Sequence, residues 1–209
     1  MKTLFKLSAL SILVSAFIFS CSKDKLGDDN QTLPILSTLE LEMMHYMMEE
    51  EKLALDVYQK FYELYGSPVF TNISKSEQSH IDAVNKLLNK YNITNTASTV
   101  PGIFKDAHLQ ELYNSLIASG NQSLLNAFIV GATIEDVDIY DLENYMEETQ
   151  NADIISVFEF LNCGSRNHLR SFMGQITLQN SSYVPQFITE DRFDEILDDS
   201  RESCGTVTL

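Results

Sequence analysis

Apolar residues recur every three or four positions along four long stretches of this chain, the spacing of buried helical faces, and no strand-like alternation is sustained. The first stretch predicts a helix from about Ser37 to Tyr65. Ser37 stands at the N-cap, Glu40 three residues on completes a capping-box spacing, and Gly66-Ser67-Pro68 ends the helix. The second runs from about Asn72 to Tyr91, the third from Ser123 to Glu148 and the fourth from Asp153 to Leu178. Shorter amphipathic segments cover Leu109 to Ile117 and Glu190 to Leu197.

Connection lengths turn these elements into a topology. Short links join the first helix to the second and the third to the fourth, so each pair forms an antiparallel hairpin. The second and third are separated by a long segment, Asn92 to Gly120, which holds Pro101-Gly102. An up-down bundle does not need such a connection, whereas one long crossover is the mark of ferritin-like bundles. The expected fold is therefore all-α, a four-helix bundle of ferritin-like topology over residues 37–180, with a C-terminal tail at 181–209 that carries a short peripheral helix.

Each predicted face is interrupted by polar residues near its middle. Glu51 falls between Met47 and Ala54; Glu77 and His80 lie between Ile73 and Val84. Glu135 and Asp138 lie between Gly131 and Leu142; Ser165 and His168 lie between Leu161 and Phe172. Burying unpaired carboxylates and imidazoles is costly, so their convergence inside a bundle points to a two-metal centre. Residues three apart on a helix point the same way, which lets Glu77 and His80 reach one ion. A lone Glu-x-x-His is weak evidence, since roughly 0.3 chance matches are expected from this composition; its place on a seam with partners on three other helices makes it specific. The expected ligands are Glu51, Glu77, His80, Glu135, Asp138 and His168. Four carboxylates would balance two divalent ions, here iron or manganese.

The beginning of the chain changes the setting. Lys2 and Lys6 precede an apolar run from Leu7 to Phe19, too short to span a bilayer comfortably. Ile18-Phe19-Ser20-Cys21 resembles a lipoprotein signal junction, with Phe19 where a small residue is usual. Residues 1–20 are expected to be a signal peptide and Cys21 the lipidated residue. Residues 21–36 are then a polar tether, holding the domain in the cell envelope as a membrane lipoprotein. The alternative is an ordinary secretory signal cleaved nearby. A formal net charge of −16 excludes nucleic-acid binding, which needs a basic surface. It also leaves the acyl chain as the membrane contact. An oxidising envelope permits a disulfide between the two remaining cysteines, Cys163 and Cys204.

Several of these stretches resemble known proteins. Glu51-x-x-Ala54 with Tyr58, and Glu77-Gln78-Ser79-His80, resemble the metal-binding helices of rubrerythrin-like proteins. Glu49 to Ala54, Asn72-Ile73 before Glu77, Gly131-Ala132 before Glu135, and Ser165-Arg166-Asn167-His168-Leu169 are similar to the ferritin-like family called domain of unknown function 2202. The resemblance covers roughly Leu39 to Phe172. It implies a ferritin-like bundle with a di-metal centre and no established activity. In the usual ferritin-like ligand set, Ser165 occupies the place of a second Glu-x-x-His glutamate, and Asp138 restores the carboxylate count.

Each motif also has a plainer reading. Glu49 and Glu50 read as a solvated acidic run and Tyr58 as core packing, while Asp136 and Asp141 show that the third long helix is acidic in any case, which lets Asp138 be one more acid of that helix. His45 and His108 lie off the seams. Met43, Met44, Met47 and Met48 have the spacing of core residues rather than of soft-metal ligands. Arg166 reads as a surface residue, or as the partner of a carboxylate behind the site. Two functional classes result: an oxidoreductase using a di-iron or di-manganese centre with oxygen or peroxide, or a non-catalytic metal-binding or structural bundle. No residue is assigned a catalytic role. The expected partners are the membrane, metal ions, an external electron donor for redox work, since no Cys₄ electron-transfer module is present, and a second copy in a compatible dimer.

Overall fold

Ser37 opens the first helix as expected: its hydroxyl accepts from the Glu40 amide while the Glu40 carboxylate accepts from the Ser37 amide. In this computed structural model, which describes residues 33–209, that helix, α1, spans Thr38–Tyr65 and ends at Gly66 in the left-handed conformation. Helix α2 spans Pro68–Lys90, beginning a turn earlier than the sequence pattern predicts. Pro68 stands at its first turn rather than terminating α1 alone, where its fixed φ and missing N–H cost nothing. The remaining helices are α3 at Ala107–Gly120, α4 at Leu124–Glu147, α5 at Ala152–Leu178 and α6 at Glu190–Asp198. The described residues are all-helical, six helices without a strand. The expected signal segment, Cys21 and the first part of the tether lie outside the described residues; Leu33 to Leu36 form no helix.

Two apolar cores fix the helix directions. One joins Val57, Tyr58 and Phe61 of α1 to Phe70 at the start of α2, Phe128 near the start of α4 and Phe172 near the end of α5. The other joins Met43, Met44, Met47 and Met48 of α1 to Leu87 late in α2, Leu142 late in α4 and Phe158 early in α5. So α1 runs antiparallel to both α2 and α4, and α2 ends where α1 begins. Because α4 starts at the opposite end, the segment from Tyr91 to Ser123 must travel the length of the bundle, and it carries α3 against α1 and α4. Met43, Met44, Met47 and Met48 are all core residues, as their spacing predicts.

The crossover and tail bury charges that the sequence pattern places at the surface. Glu49 is buried and accepts the backbone amides of Lys105 and Asp106 just before α3. Asp56 is buried beside Lys52 and accepts the Gly102 amide, while Lys52 donates to the Val100 carbonyl. Asp136 is fully buried and accepts from the Tyr183 hydroxyl and the Gln186 and Ile188 amides of the tail. Hence Glu49 and Asp136 are not solvated acids: each supplies the acceptor that a loop lacking its own ladder requires. The tail is held further by a Cys163–Cys204 disulfide and by Glu202, which pairs with Arg166 and Arg170. Arg166 is thus a tail anchor.

Candidate metal centre

Between the two apolar cores the four long helices present their polar residues at one level. Glu51 comes from α1, Glu77 and His80 from adjacent turns of α2, Glu135 from α4 and His168 from α5. All five are between 1% and 5% exposed. They form two triads that share one member: Glu51, Glu77 and His80 on one side, and Glu77, Glu135 and His168 on the other. Within each triad one donor atom per residue lies within 4.8 Å of the others.

The Nδ1 of His80 lies 3.0 Å from Glu51 Oε2 and 2.9 Å from Glu77 Oε2. The other Glu77 oxygen, Oε1, is 2.9 Å from His168 Nδ1, which lies 3.4 Å from Glu135 Oε2. Glu77 therefore reaches one histidine with each oxygen. Short as it is, the His168–Glu77 approach lacks hydrogen-bond alignment, and both its atoms are buried without a partner. Glu51 Oε1 and Asp138 Oδ1 are likewise buried and unpartnered. Donor atoms that crowd together without pointing at one another suit a cation between them, and nitrogen and carboxylate oxygen suit iron, manganese or zinc.

Tight packing positions these groups. The Tyr58 hydroxyl donates to Glu135, so Tyr58 both packs against Phe70 and Phe172 and fixes a candidate ligand. A Cβ at Gly164 would lie 2.3 Å from His80 Nε2, so only glycine lets α5 approach the imidazole this closely. Ser165 donates to Asp138 and to the Leu161 carbonyl. Asp138 belongs to neither triad; the Ser165 hydroxyl holds one oxygen and leaves the other free among Glu51, Glu135 and Glu77. His45 is half-buried at the rim and His108 is exposed, both away from the triads.

Electrostatics without a cation are unfavourable. Burial pushes Glu51 up to about 7 despite the opposing pull of His80. Burial, then the charges of Glu51 and Glu135, push Asp138 well above the usual carboxylate range. Burial alone would raise Glu77, but His168 and His80 outweigh it and hold its carboxyl low. Burial opposes charge on His168, yet Glu77 and Glu135 raise it to about 10. These shifts favour protons on Glu51, Asp138 and His168, and a metal binding among them would release protons.

Glu50, like Glu49, is placed wrongly by the sequence pattern: it is only 1% exposed. The usable signal was in α1 itself, where Met43 with Met47 and Met44 with Met48 form two apolar ridges. A helix apolar on two faces has little solvated surface to offer the acids that follow.

Residues 40–200 match the family described as "Uncharacterized protein domain (DUF2202)". The chain belongs to that family. The chain is 44% identical over 168 residues to "Uncharacterized protein MJ0754" of Methanocaldococcus jannaschii, covering 80% of this chain and 91% of that protein. The crystal structure of hypothetical protein MJ0754 superposes with a TM-score of 0.79 at 44% identity, covering 81% of this chain and 97% of that one. The DUF2202 match contains every residue of both triads as well as Asp138 and Ser165.

Proposed function

We propose that this DUF2202 protein is a ferritin-like domain that binds two metal ions, iron or manganese, and performs redox chemistry with oxygen or peroxide. The observation that carries the reading is Glu77, whose two oxygens each meet one of two symmetry-like triads across the bundle. Glu51 and His80 would hold one ion and Glu135 and His168 the other, with Glu77 offering one oxygen toward each group. Asp138, one oxygen held by Ser165 and the other buried without a partner, would supply the fourth carboxylate beside the triads. Bound iron or manganese would supply Lewis acidity and one-electron steps toward the oxidant. The Tyr58 hydroxyl keeps Glu135 oriented, and the two apolar cores exclude bulk water from both sides. Electrons come from an external donor. The start of the chain, with Lys2, Lys6, the Leu7–Phe19 run and Cys21, supports lipid anchoring in the cell envelope.

The test is redox cycling. Protein loaded with iron without oxygen is mixed with oxygen or peroxide, and oxidation is followed by absorbance through successive reductions. Turnover that Glu77→Ala abolishes supports the oxidoreductase. The near-complete burial of both triads favours a second reading, non-catalytic metal retention, in which the metal stays bound without repeated oxidation.

A further inference from the structure

Among the described residues every other buried acid has a task. Glu49, Asp56 and Asp136 receive loop amides, Glu51, Glu77 and Glu135 meet histidines, and Asp138 receives Ser165. Glu50 is the exception. Its side chain is buried, neither carboxylate oxygen receives a backbone amide, hydroxyl or cationic donor, and the group close enough to bear on it by hydrogen bonding is another acid, the Asp141 carboxyl. The groups around it are acids: Asp138 and Asp141, one turn apart on α4, and Glu51 beside it in the chain. An acid held among acids in an apolar surround costs several kcal/mol unless a proton or a cation neutralises it.

The free oxygens form a series. Asp141 is half-buried; its charge bears on Glu50, both of whose oxygens are buried and unpartnered, as are Oδ1 of Asp138 and Oε1 of Glu51, whose charges bear on Glu50 in turn. Tyr46 stands one turn before Glu50 on α1 and Tyr145 one turn after Asp141 on α4, and both tyrosines line a surface cavity of about 610 Å³ together with Glu42, His45, Glu49, Lys105 and Asp106. The rings of Tyr46 and Tyr145 pack edge to face at 6.2 Å, and the charges of Glu50 and Asp141 bear on both. Acidic walls at a cavity mouth concentrate cations there.

We propose that Glu50 and Asp141 form a transfer site for divalent cations, which carries them from the cavity at Tyr46 and Tyr145 to the two triads. This rests on the di-metal reading of those triads. Carboxylate oxygens without competing donors are hard ligands suited to a partly hydrated divalent ion. Asp141 meets the ion near the surface, Glu50 takes it into the bundle, and Asp138 and Glu51 receive it at the centre. Since Glu50 and Asp141 belong to neither triad, they act on the rate of loading rather than on the final stoichiometry.

The experiment follows Co²⁺ uptake by the metal-free protein in a stopped-flow spectrometer, using the visible bands of protein-bound cobalt. Glu50→Gln and Asp141→Asn should each bind as many ions as the parent but load about tenfold more slowly, with the parent's rate falling as salt is added. Loading of both variants at the parental rate would overturn the proposal. So would normal loading combined with slowed oxidation, which would assign the series to protons. Should Glu50→Gln fail to fold, the half-exposed Asp141→Asn carries the test. Glu77→Ala separates the two readings: if it loads like the parent, the centre itself is wrong, whereas if it loses cobalt while the two outer variants load normally, only the transfer site fails.

Discussion

Replacing Glu77 by glutamine removes one charge and almost no volume, and both triads depend on that charge. Its oxygens lie 2.9 Å from His80 Nδ1 and 2.9 Å from His168 Nδ1, with all three side chains almost fully buried. Removing one member of a buried charge group costs about 3–5 kcal/mol. The two imidazoles limit the loss, because they shed protons rather than remain charged and unpaired. The metal-free variant should therefore be less stable by about 4 kcal/mol, a fall in Tm of roughly 8–16 °C for a domain of this size. Each bound ion adds to the parent about 2.7 kcal/mol at a hundredfold excess over its Kd, which the variant forgoes. Thermal and urea unfolding, with and without chelator, measure both terms; exposed Glu111→Gln serves as the control. A Glu77→Gln protein that keeps its metal and melts within a degree or two of the parent would refute the reasoning. A stability loss identical with and without metal would reduce Glu77 to a core ion pair.

Other perturbations probe the supports. Gly164→Ala places a Cβ against His80 Nε2, and the ring has nowhere to go without leaving Glu51 and Glu77. Urea unfolding should register a loss of about 1–3 kcal/mol, and a competing chelator should strip metal from the variant sooner. Cys204→Ser opens the link between α5 and the tail, 41 residues apart in sequence, and should cost about 2–4 kcal/mol; reductant should then have no further effect on its unfolding. Glu202 is held down to about 2, chiefly by its hydrogen bond from Arg166. Its folded pKa is below the ordinary 4.5, so its contribution is complete above about 4.5 and lost as pH falls through about 2. After allowance for solvent screening, that contribution is about 1 kcal/mol, so the difference in unfolding free energy between Glu202→Gln and the parent should close over this interval.

What could be read from the sequence was whatever depends on periodicity. The four long helices and the crossover follow from three-and-four spacing and connection length, and five of the six expected ligands meet because they interrupt those faces at one level. Burial that comes from loops was not legible. Glu49 and Asp136 look like surface acids until backbone amides from the crossover and tail reach them, contacts 56 and 52 residues distant in sequence. Glu50 was hidden for a related reason, since a run of three glutamates looks solvated unless the methionine ridges preceding it are counted. Tyr58 has the spacing of a core residue and is one, yet only the structure places its hydroxyl on Glu135. Ser165 showed where a carboxylate was missing, while its grip on Asp138 depends on how α4 and α5 pack.

The central claim is that two ions are held by triads sharing Glu77. The most direct measurement is the metal content of the purified protein, prepared without a metal-chelating tag and analysed by mass spectrometry. The account predicts close to two irons or manganeses per chain, both lost on Glu77→Ala. No bound metal, even after anaerobic loading with iron, would contradict it and leave the polar layer as a set of buried ion pairs.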